Sequence, residues 1–311
     1  MDNYNNQPEL KIIDLSTGEI NNEYVIVHKL KEGDTANDYT VVHNKTQQQR
    51  RDYFKNRGER DRVKNGFREL GHFIWHLSEG DGSTFIDLKP QSITRLIYLA
   101  TFANYDGVLV DNKDNAYTIA QIVYLLELSY NKGREFITEI QDRGYINIDL
   151  NDKVQLNSSY FQRGALSNIT DYKKNGIIVT RLFNEAIRNI YTNVDTKSHR
   201  YLGYLFKLIP YINTKYNILC KDNIEQDRDN LERMTLGDVC AVLNHDKSNA
   251  RRLGNELLSL KLKDGSAIFA AVAFKSLDVK NMCLIINPKV LFGGHLSDFI
   301  HANNLFLESK K

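Results

Sequence analysis

The chain has 311 residues, 41% hydrophobic and 26% charged, which is enough for two or three soluble domains, each with its own core. A formal net charge of +2 gives no overall support to polyanion binding, so any case for nucleic acid has to come from where the charges lie. Three cysteines, at 220, 240 and 283, are too few and too widely spaced for a disulfide framework or zinc knuckle. No apolar run reaches membrane-span length, the start MDNYNNQPEL lacks the features of a signal peptide, and a cytoplasmic location is expected.

In chain order, Lys11-Ile-Ile-Asp-Leu15, a turn at Gly18 and Tyr24-Val-Ile-Val27 predict a short hairpin. From Lys45 to Arg68, nine Lys or Arg stand against three acids, the densest positive stretch in the chain. It reads either as a solvated basic helix or as an arm lying on phosphates, with Arg50, Arg51 and Lys55 as candidate DNA contacts. The spacing of Val63, Phe67, Leu70, Ile74 and Leu77 predicts a helix whose stripe packs on the monomer core or on a second copy as a homodimer. His72 and His76 would share a face of that helix. Without an HExxH pattern or a third ligand they read as packing beside Trp75, and no metal or cofactor is expected.

After the break at Gly80-Asp-Gly-Ser83, a helix over 93–103 leads into residues 118–146, which align without a gap on residues 235–263 at an offset of 117. Thr118 matches Thr235, Leu126 matches Leu243, Arg134 matches Arg251 and Glu139 matches Glu256, while the apolar positions stay apolar. Each copy predicts a Thr-capped helix, a polar break in which Ser129 or Asp246 can cap, and a second helix; Gly133 and Ala250 are the small residues on the packing side. A hairpin follows each copy: Tyr145–Ile148 with Val154–Leu156, and Ala267–Phe274 with Met282–Ile286. The expected fold is mainly α with small β-hairpins (α+β), built as tandem winged helix-turn-helix domains. Residues 1–90 form an N-terminal hairpin and basic helix, 91–165 the first winged helix, 166–198 a connecting helix with its apolar face at Val179 to Ile190, and 199–311 the second winged helix.

A helix in the major groove needs hydrogen-bond donors opposite its core stripe. With Phe136 and Ile140 inward, the first copy turns Asn131, Glu135, Thr138 and Asp142 outward, flanked by Lys132 and Arg134. The acids fit a polyanion poorly, and this helix reads equally as DNA-facing or protein-facing. The second copy turns Ser248, Arg252, Asn255 and Ser259 outward, with Lys247, Asn249 and Arg251 beside them. Arg can take guanine and Asn adenine in paired hydrogen bonds, so the second copy is the better reader. No phosphate-binding GxxxxGK[ST] loop, nicking-type histidine pair or two-metal acidic cluster is present, and no enzymatic activity is expected.

Ser16-Thr-Gly-Glu19, the lead helix and the closing Leu156-Asn157-Ser-Ser-Tyr-Phe-Gln-Arg-Gly164 resemble the RepL-type replication proteins of plasmids and phages of low-GC Gram-positive bacteria, whose units end in Asn-Pro-x-x-Phe-x-Lys-Gly. The resemblance covers residues 10–165. Ser158 replaces the usual Pro, which returns as Pro288 after Asn287. It implies a winged-helix initiator of replication acting on double-stranded DNA, with host replication proteins as further partners and no membrane. A transcriptional regulator with the same modules and a protein-binding adaptor are the alternatives.

Overall fold

The computed structural model describes residues 24–28, 39–43, 70–166, 169–273 and 282–309, and the chain divides into two compact units, 1–64 and 65–311. In the first, strand β1 (Tyr24–His28) pairs antiparallel with β2 (Tyr39–His43), Ile26 opposite Val41. The hairpin partner is therefore β2; Lys11–Leu15 lies outside the described residues. So do Arg50, Arg51, Lys55, Val63 and Phe67.

In the second unit the predicted 63–77 stripe does not continue as a helix. Strand β3 (Phe73–Glu79) contains Ile74 and Leu77, both buried in the monomer, so a dimer seam does not run through them. The cause is burial on both faces. Ile74 packs with Phe85 and Leu182 on one side, while Trp75 and Leu77 pack with Val179 on the other, which removes the alternation that marks a half-exposed strand. The expected 166–198 connecting helix is likewise revised: it comprises α4 (Ile169–Lys174), strand β7 (Ile177–Phe183) and α5 (Asn184–Asn193). β3 and β7 run antiparallel at the centre of a sheet whose edges are β6 (Phe161–Gln162), beside β3, and β10 (Leu291–Phe292), beside β7.

Around this sheet the same succession of elements occurs twice. In the first repeat, α1 (Pro90–Ala100) leads to a short strand at Val108, then α2 (Ile119–Leu125), α3 (Tyr130–Asp142) and the hairpin β4 (Ile146–Ile148) and β5 (Val154–Leu156). In the second, α6 (His199–Lys207) leads to a short strand at Ile218, then α7 (Leu236–Val242), α8 (Ala250–Ser259) and the hairpin β8 (Phe269–Ala273) and β9 (Met282–Ile286). A final helix, α9 (Asp298–Glu308), closes the chain. The short strands join their hairpins identically: Leu109 N–H donates to Val154 O and Leu219 N–H to Leu284 O, each at 2.9 Å.

Local chemistry repeats too. Thr118 and Thr235 both form reciprocal capping boxes, with Gln121 and Asp238, as two orphan donors at a helix start require. Ser129 precedes α3 without a side-chain cap bond, whereas Asp246 accepts from Ser248 N–H at 2.7 Å and opens a 3-10 turn, Lys247–Asn249, ahead of α8. Asn157 and Asn287 do the same work at the hairpin ends. Their amides donate to Gly144 O (2.7 Å) and Ala267 O (2.9 Å), and their side-chain oxygens accept from Ser159 and Lys289 N–H. The Asn-led ending is thus a lock on the hairpin's return strand.

The two repeats meet at β3 and β7 around a local two-fold axis. Trp75 faces Arg181, with Ile74 opposite Leu182 and His76 opposite Thr180 as the pairs on either side. Trp75 Nε1 donates to Gly164 O and an Arg181 Nη donates to Gly294 O, both at 2.8 Å, and Gly164 and Gly294 hold the same place in the two endings. Arg181 lies over the Trp75 ring at 4.3 Å. On one side of this sheet α1 crosses α6, where Thr94 Oγ1 donates to His199 O at 2.7 Å.

Candidate nucleic-acid interface

The second-repeat residues singled out by sequence converge on one element. Ala250, Leu253, Gly254 and Leu257 seat α8 against the core, Gly254 because an added Cβ would stand 2.6 Å from Leu236 Cδ1. That seating leaves Arg251, Arg252, Asn255 and Ser259 exposed along α8, with Lys247 and Ser248 exposed and Asn249 half-buried in the turn before it. Neither Arg251 nor Arg252 has a hydrogen-bond or ion-pair partner among the described residues. The Asp246 carboxylate is held below its usual range by the Ser248 bonds and caps the turn. The helix therefore presents an uncommitted pair of guanidiniums and an amide.

In the first repeat, α3 is seated by Phe136, Ile137 and Ile140, and Gly133 lets Val123 approach, since a Cβ there would lie 2.4 Å from Val123 Cγ2. Asn131, Lys132 and Arg134 are exposed, and so are Glu135, Thr138 and Asp142. The nearby surface is of mixed charge, with exposed Arg143 and Lys153 among its acids, and carries exposed aromatic residues. Tyr124 and Tyr130 are exposed, and the hairpin tip carries Leu150 between exposed Asp149 and Asp152. The Asp149 carboxyl is held below its usual range by the Lys153 and Asn151 N–H groups. One scaffold thus presents a mixed-charge, aromatic face in the first repeat and, in the second, a face on which Arg252 stands in Glu135's place.

A group outside the helix-face reading lies beside α8. Arg200, near the start of α6, rests over the Tyr201 ring at 4.6 Å, and Tyr204, one turn on, meets the His245 ring edge-on at 5.1 Å. Burial first, then nearby Arg252 and Arg200, push the His245 imidazole below its ordinary pKa. The signal was in the repeat itself: His245 aligns with Leu128, and Arg252 with Glu135.

The other titratable candidates are structural. His72 and His76 do not form a chelating pair on a helix, because His76 lies in β3, fully buried, its ring stacked on Phe85 at 5.0 Å. Among the described residues no three His, Cys, Asp or Glu are grouped to hold a metal ion. The three cysteines are buried and unpaired, and burial pushes the Cys220 and Cys283 thiols up to about 12, which leaves them protonated. A cleft of about 710 Å³ is lined by Arg163 and Arg188 among others, but both guanidiniums are engaged with main-chain oxygens, of Ala103 and Thr101. Among the described residues no helix is long and apolar enough to cross a membrane. No family model, curated protein or solved structure matches the chain.

Proposed function

We propose that the chain is a sequence-specific, non-enzymatic double-stranded-DNA-binding protein with two winged-helix modules, in which the second reads the major groove through α8. The observation that carries this reading is the exposed set Arg251, Arg252 and Asn255, without partners among the described residues, on a helix whose opposite face is buried. The repeated order of helix, short strand, two helices and hairpin supports the winged-helix reading. Replication initiation on a plasmid or phage follows from the RepL resemblance, and transcriptional regulation is the alternative. The first module's exposed Tyr124, Tyr130, Glu135 and Asp142 favour a protein partner there, such as a host replication protein.

Replacing Arg252 with Ala is expected to weaken binding to the preferred duplex by about 1–3 kcal/mol and to relax base preference at one position of the site. Fluorescence anisotropy on a panel of single-base variants measures both. Unchanged affinity and unchanged preference would remove α8 as the reader. A footprint on the element's own DNA separates the roles: an initiator protects repeats in its origin or gene, a regulator protects promoters, and an adaptor protects nothing even at low salt.

A further inference from the structure

We infer that Arg200 and His245 together grip one DNA backbone phosphate beside Arg252 at the edge of α8, and that His245 takes up a proton from solvent as the phosphate arrives. The inference rests on the reading of α8 as the DNA-facing helix, and adds two residues from outside that helix, with a proton-linked contact.

Three elements contribute. Arg200 and Tyr204 are one turn apart on α6; the Tyr204 ring contacts His245, while the Arg200 guanidinium lies over the Tyr201 ring and donates one bond to its hydroxyl at 2.6 Å. His245 follows α7, its backbone N–H fixed on Cys240 O at 2.8 Å. Arg252 projects from the first turns of α8, exposed. The half-buried His245 ring packs on Tyr204, and burial with the nearby Arg252 and Arg200 disfavours its charged form, a penalty that an anion bound beside it would relieve. Among the described residues no carboxylate forms an ion pair with Arg200, His245 or Arg252. Glu256, one turn beyond Arg252, acts on Arg200; Asp246 is engaged by Ser248; and burial keeps the Tyr204 phenol protonated. The first repeat acts as a built-in control. There Leu128 and Glu135 occupy the places of His245 and Arg252, so the same scaffold lacks both the imidazole and this guanidinium.

The sign of the linkage follows from the charges that His245 meets without and with a phosphate. Free His245 is neutral at pH values where an ordinary histidine has begun to protonate, whereas beside a phosphate its charged form is favoured. Between those two pKa values binding absorbs a proton, and affinity rises as pH falls, by at most about tenfold per pH unit. The test is duplex binding by the full-length protein across a salt series, from about pH 8 to about pH 6. Wild type is expected to bind more tightly on acidification; His245→Gln should flatten that rise, and Arg200→Ala should lower the salt slope by about one unit. Calorimetry of wild type in two buffers of different ionisation enthalpy should detect the absorbed proton without any variant. If wild type binds duplex and Arg252→Ala weakens it, but no proton is absorbed and Arg200→Ala keeps the wild-type slope, the phosphate grip is overturned while the reading of α8 stands. If wild type binds no duplex at low salt, both fall.

Discussion

Replacing Gly203 with alanine is expected to destabilise the protein by roughly 3 kcal/mol, the upper end of what a single overpacked position costs. Gly203 sits where α6 crosses α1. An added Cβ there would stand 2.0 Å from Pro90 O and 2.4 Å from its carbonyl carbon, so backbone, not a movable side chain, fills the space. Relief requires the helices to separate, which strains the buried bond from Thr94 Oγ1 to His199 O. Helix propensity works in the opposite direction, since alanine is favoured over glycine by about 1 kcal/mol inside a helix. Gly237 in α7 isolates that term: its added Cβ meets only Thr235 Oγ1 at 3.5 Å, and Gly237→Ala should be neutral or slightly stabilising. Urea unfolding of both variants reads the contrast. Equal, small effects at the two positions would show that the crossing is not close-packed.

Acidification from about pH 7.5 to about pH 4 is expected to cost the folded state on the order of 3 kcal/mol through His76 alone. The ring is fully buried, and burial lowers its pKa from 6.5 to about 4 against the opposing effect of its bond to Tyr160 O at 3.2 Å. A carbonyl can only accept, so Nδ1 carries the proton, and Nε2 is bare with no partner among the described residues. Above pH 6.5 both folded and unfolded forms are neutral and the group is silent. Below it the unfolded chain binds a proton that the folded chain refuses, so stability falls until about pH 4 and then levels off. His76→Phe places a ring of similar shape between Phe85 and Phe161 and should remove this component. Denaturant midpoints at the two pH values, compared between wild type and variant, isolate it from the carboxylates and other histidines they share. Identical pH dependence in the two proteins would show that His76 does not carry it.

The helix pairs α2/α3 and α7/α8 were legible because each copy carries its own start signal and packing stripe, and because an ungapped match makes one copy evidence for the other. The exposed faces followed from the same periodicity, which placed Arg251, Arg252 and Asn255 on the open side of α8. The central strands were hidden for a physical reason. β3 and β7 are covered on both sides, so their apolar residues run together, and Phe67, Leu70, Ile74 and Leu77 fall by chance at helical spacing. Arg200 and His245 escaped because a wheel drawn on one helix cannot show what a neighbouring helix brings beside it. The Asn157 ending, which carried the family resemblance, turns out to have a structural explanation in its bonds to Gly144 O and Ser159 N–H.

The pairing of Trp75 with Arg181 bears on how the halves can be taken apart. In a symmetric pair of identical halves, whatever residue occupies the axis confronts its own copy: indole against indole, or guanidinium against guanidinium. Neither reproduces an aromatic face under a cation, and two guanidiniums would repel. The ring-and-cation contact exists only between unlike halves. If the chain is cut at the link between the repeats, the fragments should therefore seek each other rather than themselves, and mixing them should yield a one-to-one complex in preference to either self-pair.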